Sequence, residues 1–155
     1  MSADKLVDLI SPIAALCAGR AVDGALEKLL AAEFPADGPV LAAIERCLEE
    51  GIAAAAFCDR EAGGIRFSRP AKPGPASHGF SIDVVTYGDL AGPRHAHPTG
   101  EIDLILPIDP DARFDGRGRG WLVYPPGSAH APTITGGRAI VLYLLPDGRI
   151  DFIKS

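Results

Sequence analysis

Apolar residues in the first 58 positions recur every three or four residues, which is the spacing of amphipathic helices. Asp23 precedes the second of these segments and is expected to cap it, because a carboxylate accepts hydrogen bonds from the first free amides of a helix. Pro12 lies inside the first segment and is expected to kink the helix or to restart it at Ser11. The predicted helices run from about Leu6 to Gly19, from about Gly24 to Glu33, and from just after Asp37 to Gly51, with residues 52–57 able to continue the last one.

From residue 64 the pattern changes to short runs of alternating apolar and polar residues, separated by glycine and proline. Closely spaced short strands are typical of an antiparallel barrel or sandwich. We therefore predict one domain, in which a helical region (1–58) packs on a β-barrel (64–155), with residues 70–76 as a surface loop. The predicted strands cover residues 64–69, 80–87, 94–97, 102–108, 120–124, 130–134, 138–145 and 149–153.

The composition is that of an ordinary globular protein. Hydrophobic residues make up 47% of the 155 positions and charged residues 23%, which excludes a largely disordered chain. The 20 acidic residues outnumber the 15 basic ones, and no segment concentrates lysine and arginine, so nucleic acid is not an expected partner. No apolar run in the sequence reaches 18 residues, the length needed to predict a membrane span. A membrane is therefore not an expected partner either.

Cysteine usage and the N-terminal segment indicate the cytoplasm. Cys17, Cys47 and Cys58 form no C-x-x-C pair, and we expect all three to be reduced. Residues 9–18 are apolar, but two aspartates precede them, whereas a signal peptide begins with a positively charged segment. We therefore predict a cytoplasmic protein.

The segment HAHPTGE, residues 95–101, carries the first candidate for chemistry. On a strand, residues two apart point to the same face, so His95 and His97 project together. The Pro-Thr-Gly sequence can then turn the chain, and Glu101 begins the next strand facing the same interior. Two imidazoles and a carboxylate that converge in this way are good ligands for a divalent first-row metal.

The segment PPGSAH, residues 125–130, brings a third histidine after a turn. His130 can supply a fourth ligand from a neighbouring hairpin, which leaves one or two positions open for water or substrate. A polar pocket without metal is the alternative reading of the same residues. His78, in a segment rich in proline and glycine, is interpreted as a loop residue. The predicted metal site consists of His95, His97, Glu101 and His130.

These spacings resemble the two motifs of the cupin superfamily. H-x-H-x-x-x-E matches the first motif at residues 95–101, and P-x-G-x-x-H matches the second at 125–130. The leading glycine of the first motif falls on Asp89. The resemblance covers about residues 80–145. It implies a mainly β fold, a cupin-like antiparallel β-barrel or jelly roll, preceded by about three α-helices.

A narrower resemblance extends over most of the C-terminal half. Four segments are similar to the 4-hydroxylaminobenzoate lyases of nitroarene degradation: HxHPxGEID (95–103), RFDG (113–116), GWxVYPPGSxHxPT (120–133) and LYLLPDGxI (142–150). A helical N-terminal third followed by a cupin-like half is also similar. The resemblance implies conversion of 4-hydroxylaminobenzoate to 3,4-dihydroxybenzoate with release of ammonia. A divalent metal ion is the expected cofactor, and no nucleotide cofactor is expected.

This reaction requires cleavage of an N–O bond, whose oxygen leaves poorly unless it is protonated or held by a Lewis acid. A carboxylate or a histidine can move the protons. Tyr124 is a further candidate because its phenol lies just before the Pro-Pro-Gly turn, and Asp103 should share the face of Glu101. The predicted catalytic residues are His97, Glu101, His130 and Tyr124.

A benzoate carboxylate also needs a cationic partner, because its burial without one is costly. Arg94 is the first candidate, although strand alternation points it away from His95; Arg66 is a further alternative. Aromatic side chains are expected to wall a flat ring, and the charged loop 109–120 either covers the pocket or lies in solvent. The predicted substrate-binding residues are Arg94, Arg138, Trp121 and Tyr87.

Two other functions fit the same ligand set. Three histidines and one glutamate also suit a metal-dependent cupin dioxygenase or isomerase acting on a small anionic substrate. A non-catalytic cupin that binds a ligand is the alternative from another class. Apolar stripes that the helices leave exposed would favour a homodimer.

Overall fold

The computed structural model describes residues 2–153. Position 1 of the predicted helical region and positions 154 and 155 of the predicted barrel lie outside the described residues. The second helix has the predicted bounds and cap, because the backbone amide of Leu26 donates to the Asp23 carboxylate over 3.0 Å. The helices are α1 (Ser2–Cys17), α2 (Gly24–Glu33) and α3 (Pro39–Ala53).

Helix α1 runs through Pro12 without interruption, so the predicted restart at Ser11 is wrong. One stripe of α1 is fully buried on both sides of the proline, including Leu6, Ile10 and Ile13. Packing of this continuous stripe outweighs the one backbone hydrogen bond that a proline removes.

The strands follow the predicted order with several differences in extent. Within residues 2–153 they are β1 (Arg60–Ala62), β2 (Ile65–Ala71), β3 (Phe80–Ala91), β4 (His95–His97), β5 (Glu101–Pro107), β6 (Arg113–Phe114), β7 (Gly120–Tyr124), β8 (Ser128–His130), β9 (Thr133–Pro146) and β10 (Asp151–Phe152).

Two short strands were not predicted, and one predicted strand is divided. The pairing of β1 with β2 and that of β6 with β9 hold segments too short to show a periodic pattern. The strand predicted over 130–134 is instead split between β8 and β9. Asp89 adopts a φ of 45° at a bulge in β3, a left-handed conformation that aspartate tolerates better than most residues.

All the strand pairs are antiparallel, and they form two sheets. The larger sheet has the order β1-β2-β3-β9-β5-β7, with β6 also paired to β9, and the smaller sheet has the order β10-β4-β8. The prediction of a mainly antiparallel β fold after three helices is therefore confirmed.

The larger sheet separates two apolar clusters, because successive residues of a strand face opposite sides. Its outer face, which includes Val84, Leu104 and Leu142, packs against the buried stripes of the three helices. Its inner face carries a second cluster that includes Tyr87, Phe114 and Tyr143. The helical layer thus covers the outer face, and the inner face holds both this second cluster and the polar residues of the site.

No helix among residues 2–153 combines the length and the hydropathy needed to cross a membrane.

Candidate active site

The two sheets bring His95, His97, Glu101 and His130 to one place. Strand β4 pairs with β8 so that His95 lies opposite His130, and both histidines of β4 face inward. Gly100 then turns the chain into β5 with a φ of 93°, a conformation that favours glycine, and Glu101 enters the interior.

The ligand atoms of these four residues all lie within 4.8 Å of one another. Glu101 Oε1 is 3.1 Å from His95 Nε2 and 3.2 Å from His97 Nε2, and Glu101 Oε2 is 3.3 Å from His130 Nε2. Each imidazole therefore turns its Nε2 toward the same carboxylate. His95, His97 and Glu101 are at most 2% exposed, and His130 is 10% exposed.

Two of the imidazoles are held through their other ring nitrogen. His97 Nδ1 lies 2.8 Å from the Ser128 hydroxyl, and His130 Nδ1 is hydrogen-bonded to the Asp115 carboxylate. Asp115 is held in turn by the Tyr124 hydroxyl, which donates to Oδ2 over 2.6 Å. Such partners fix the orientation of an imidazole whose remaining nitrogen is a ligand.

The 4-hydroxylaminobenzoate lyase family (PnbB) matches residues 8–152, which is nearly the whole chain. This chain belongs to that family. The 4-hydroxylaminobenzoate lyase of Pseudomonas putida is 28% identical, and the match covers 96% of this chain and 94% of that protein. The 4-hydroxylaminobenzoate lyase of Nocardioides sp. (strain LMS-CY) is 29% identical, with 95% and 92% covered.

Among solved structures, this lyase-family chain is similar to an RmlC-like cupin protein from Ralstonia eutropha. The TM-score is 0.46 at 14% sequence identity, and the match covers 61% of this chain and 62% of that one.

Two acidic groups of the lyase-family site differ in their affinity for protons. Burial alone would raise the pKa of Glu101, but the close contacts of its carboxylate with the imidazoles of His130, His95 and His97 outweigh burial and hold that pKa well below its usual range. Burial raises the pKa of Asp103 well above its usual range, and the nearby Glu101 charge raises it further. Asp103 therefore holds its proton more tightly than Glu101 does.

The hydrogen bond between His130 and Asp115 favours the charged form of the His130 imidazole. Burial opposes the charge on His130, but the hydrogen bonds and charges of Asp115 and Glu101 outweigh burial and raise its pKa to about 9. The same hydrogen bond, with those from Tyr124 and the Thr133 amide, overcomes burial and lowers the pKa of Asp115.

The donor set fits a divalent metal ion. His97 Nε2 and Glu101 Oε2 are buried and have no hydrogen-bond partner within residues 2–153, although both point into the cluster. Imidazole with an unprotonated Nε2 and carboxylate are ligands for divalent iron, manganese, zinc and related ions. His130 would therefore release its Nε2 proton when it binds the ion, while its Nδ1–H stays bonded to Asp115. These four residues could therefore hold one such ion.

A cavity of about 800 Å³ opens beside the cluster. His95 forms part of its wall, and the ring of Phe152 lies 5.9 Å from the His95 ring, centroid to centroid. Tyr87, predicted as a wall residue, does line this cavity, and its hydroxyl donates to the Pro132 carbonyl over 2.7 Å. The cavity is of the size that takes small aromatic ligands.

Several predicted substrate-binding residues lie elsewhere. Trp121 faces the helical layer, where its indole N–H donates to the Phe34 carbonyl over 3.0 Å, because alternation along β7 turns it away from the interior. Arg94 and Arg138 are exposed, and neither lines the cavity. Arg66 donates instead to the carbonyl of Cys58 over 3.2 Å.

Sequence reasoning assigned no role to Asp115 or Ser128. Both lie in the segments that resemble the lyase family, RFDG and PPGSAH, but neither has a periodic or ligand-type spacing to the histidine that it contacts. Asp115 is 15 residues from His130, and Ser128 is 31 residues from His97. Only the fold brings these pairs together.

Proposed function

We propose that this protein is a 4-hydroxylaminobenzoate lyase that adds one water to its substrate and releases 3,4-dihydroxybenzoate and ammonia. The convergence of three imidazoles and a carboxylate beside a cavity sized for an aromatic acid, with His95 in the cavity wall, carries this proposal. Membership in the lyase family supports the substrate class.

His95, His97, Glu101 and His130 hold a divalent first-row metal ion in this proposal. When bound, the ion supplies Lewis acidity, which makes the hydroxylamine oxygen a better leaving group or a water a better nucleophile. Ser128 and Asp115 keep the histidines aimed at the reacting group. Tyr124 contributes by holding Asp115 in place.

The proposed reaction balances without an oxidant. The N–O bond breaks and its oxygen leaves as water, which makes the ring electron-poor. A water oxygen then bonds to the ring carbon beside the nitrogen-bearing carbon. A second water replaces the nitrogen, which leaves as ammonia, and loss of a ring proton restores aromaticity. Asp103, which holds its proton more tightly than Glu101 does, exchanges protons with the leaving and entering oxygens.

An anaerobic assay of the purified protein with 4-hydroxylaminobenzoate tests this function. We expect equal amounts of ammonia and 3,4-dihydroxybenzoate, at a rate that does not change when oxygen is admitted. Turnover of an aromatic acid that requires oxygen uptake would instead identify a dioxygenase. Metal binding without turnover of 4-hydroxylaminobenzoate would identify a ligand-binding protein.

We also propose that the enzyme works in the cytoplasm as a homodimer. Three free, buried cysteines support a reducing compartment. The helix stripes, whose exposure would have favoured a dimer, are buried against the sheet. The dimer is supported instead by the exposed large apolar residues of the described chain, which are Ile108, Phe152 and Ile153. Light scattering of the purified protein tests the dimer, which a monomeric mass at high concentration would contradict.

A further inference from the structure

The cavity beside the cluster has both charged and apolar lining residues, and we call the part where Arg69 and Asp83 lie its charged end. Three cationic side chains, Arg60, Arg69 and Lys72, line it together with two carboxylates, Asp59 and Asp83. The cations thus outnumber the carboxylates by one, 3 − 2, at this end. The apolar lining includes Phe67, Val85, Tyr87, Tyr143, Leu145 and Phe152.

Strand register relates Asp83, the partner of Arg69, to Asp103 near the metal-ligand cluster. Asp83 pairs with Tyr143, and Tyr143 pairs with Asp103, so the three residues form one row across β3, β9 and β5. Neighbouring strands lie about 4.8 Å apart, which puts the Cα atoms of Asp83 and Asp103 roughly 10 Å apart. Asp103 is two residues from Glu101 on the same face. Asp83, with Arg69 bonded to it, is thus separated from the cluster side of the sheet by a distance comparable with the long axis of a para-substituted benzene ring.

Arg69 is held in place at the charged end. Its Nε lies 2.6 Å from Asp83 Oδ1, and one terminal nitrogen donates to the Gly148 carbonyl over 3.2 Å. The other oxygen of Asp83 accepts a hydrogen bond from the Ser81 hydroxyl over 2.7 Å. A guanidinium has five N–H groups, so several of those on Arg69 remain for a ligand.

We propose that Arg69, fixed by Asp83, binds the carboxylate of the aromatic acid while the opposite end of the ring faces the histidine cluster. The inference rests on the proposed function and names the group that selects its substrate. Arg60 and Lys72 form no ion pair within residues 2–153, so their charges add attraction for an anion at the same end. Arginine suits the role because its planar fork matches a carboxylate.

The test compares two substrates that differ only in the carboxylate, 4-hydroxylaminobenzoate and phenylhydroxylamine. Removing Arg69 alone would leave Asp83 without its partner, so the double variant Arg69→Met/Asp83→Asn is made beside Arg69→Met. We expect kcat/KM for 4-hydroxylaminobenzoate to fall roughly 10- to 100-fold, mostly through KM, because a charged hydrogen-bonded contact is lost. Turnover of phenylhydroxylamine should change less than about twofold. Arg46→Met, an exposed arginine on α3, is the matched control.

Calorimetric binding of benzoate provides a readout independent of turnover. Wild-type protein should bind benzoate, and the Arg69 variants should bind it roughly 10- to 100-fold more weakly. Equal losses on both substrates, or an unchanged affinity for benzoate, would overturn the role of Arg69. A wild-type protein that binds benzoate through Arg69 but does not turn over 4-hydroxylaminobenzoate would overturn the proposed function and leave the carboxylate site standing.

Discussion

Asp115 accepts a hydrogen bond from Nδ1 of His130 and thereby aims the other nitrogen of that imidazole at Glu101. Asp115 has a φ of 49°, in the left-handed region where most residues are strained. Hydrogen bonds from the Tyr124 hydroxyl and the Thr133 amide hold it there. A loop residue in a left-handed conformation is thus fixed by the same contacts that orient the histidine.

Replacement of Asp115 by asparagine tests this relationship. The amide is neutral and presents only one acceptor oxygen, so the imidazole loses part of its orientation. We expect metal affinity or kcat to fall roughly 10- to 100-fold, as for other residues that orient metal ligands. Asp111→Asn, on the same loop and exposed, is the matched control. Metal titration and steady-state kinetics measure both effects, and equal behaviour of the two variants would refute the orienting role.

His97 is expected to be indispensable for turnover. It is fully buried and its Nε2 faces Glu101, so alanine removes a ligand at the centre of the cluster. We predict that His97→Ala loses at least about 3 kcal/mol of transition-state stabilisation, more than a hundredfold in rate. Circular dichroism should show an intact fold. His78→Asn, which changes an exposed histidine at a left-handed position, should keep normal activity. Near-normal turnover by His97→Ala would mean that the cluster is not catalytic.

A bound divalent ion should stabilise the folded chain, because it binds the assembled cluster and not the unfolded one. After treatment with a chelator, addition of the ion at about a hundred times its Kd should raise the Tm by roughly 5–10 °C. Differential scanning calorimetry with a series of divalent ions measures the shift. The same ions should leave the Tm of His97→Ala nearly unchanged, and an equal shift in that variant would place the binding elsewhere.

The buried thiols predict a loss of stability at alkaline pH. Burial raises the pKa of Cys17 to about 12 and that of Cys58 to about 11, from an ordinary value of 9.0. Above about pH 9 the unfolded chain releases these protons while the folded chain keeps them. The free energy of unfolding should therefore fall as the pH rises from 9 toward 11.

Urea denaturation of wild-type protein and Cys17→Ala between pH 8 and pH 10.5, roughly the window in which a free thiol ionises, checks the thiol prediction. The stability difference between the two should narrow as the pH rises, because alanine has no proton to release. A difference that stays constant over this range would show that Cys17 titrates alike in both states.

Replacement of Trp121 tests whether this residue stabilises the fold or binds substrate. Its indole N–H bonds the Phe34 carbonyl at the junction of sheet and helices, on the face opposite the cavity. We expect Trp121→Phe to lower the free energy of unfolding by about 1–3 kcal/mol, since a partly buried carbonyl loses its donor. The KM for 4-hydroxylaminobenzoate should not change. A raised KM with an unchanged free energy of unfolding would show that Trp121 binds substrate.

Local sequence pattern was sufficient for most of the fold. Helix α2 has the predicted bounds because its capping aspartate and its leucine stripe are both local signals. Strand β7 spans the predicted residues 120–124 because its signals, a short apolar run and the glycine and prolines that bound it, are local as well. The short strands β1 and β6 escaped prediction because partners distant in the sequence hold them, and a segment of two or three residues has no period to read.

The sequence by itself determined the elements, the fold class, the family and the four residues that could hold a metal. Each depends on spacing along the chain: periods of 3.6 and 2, and two short motifs. Only the tertiary structure decided what surrounds that cluster. Asp115 is hydrogen-bonded to His130, and Arg69 lines the cavity whereas Arg94 does not. Trp121 packs against the helical layer on the opposite face of the sheet. These outcomes depend on strand register and on which face of the sheet the helices cover, which arise from contacts between segments far apart in the chain.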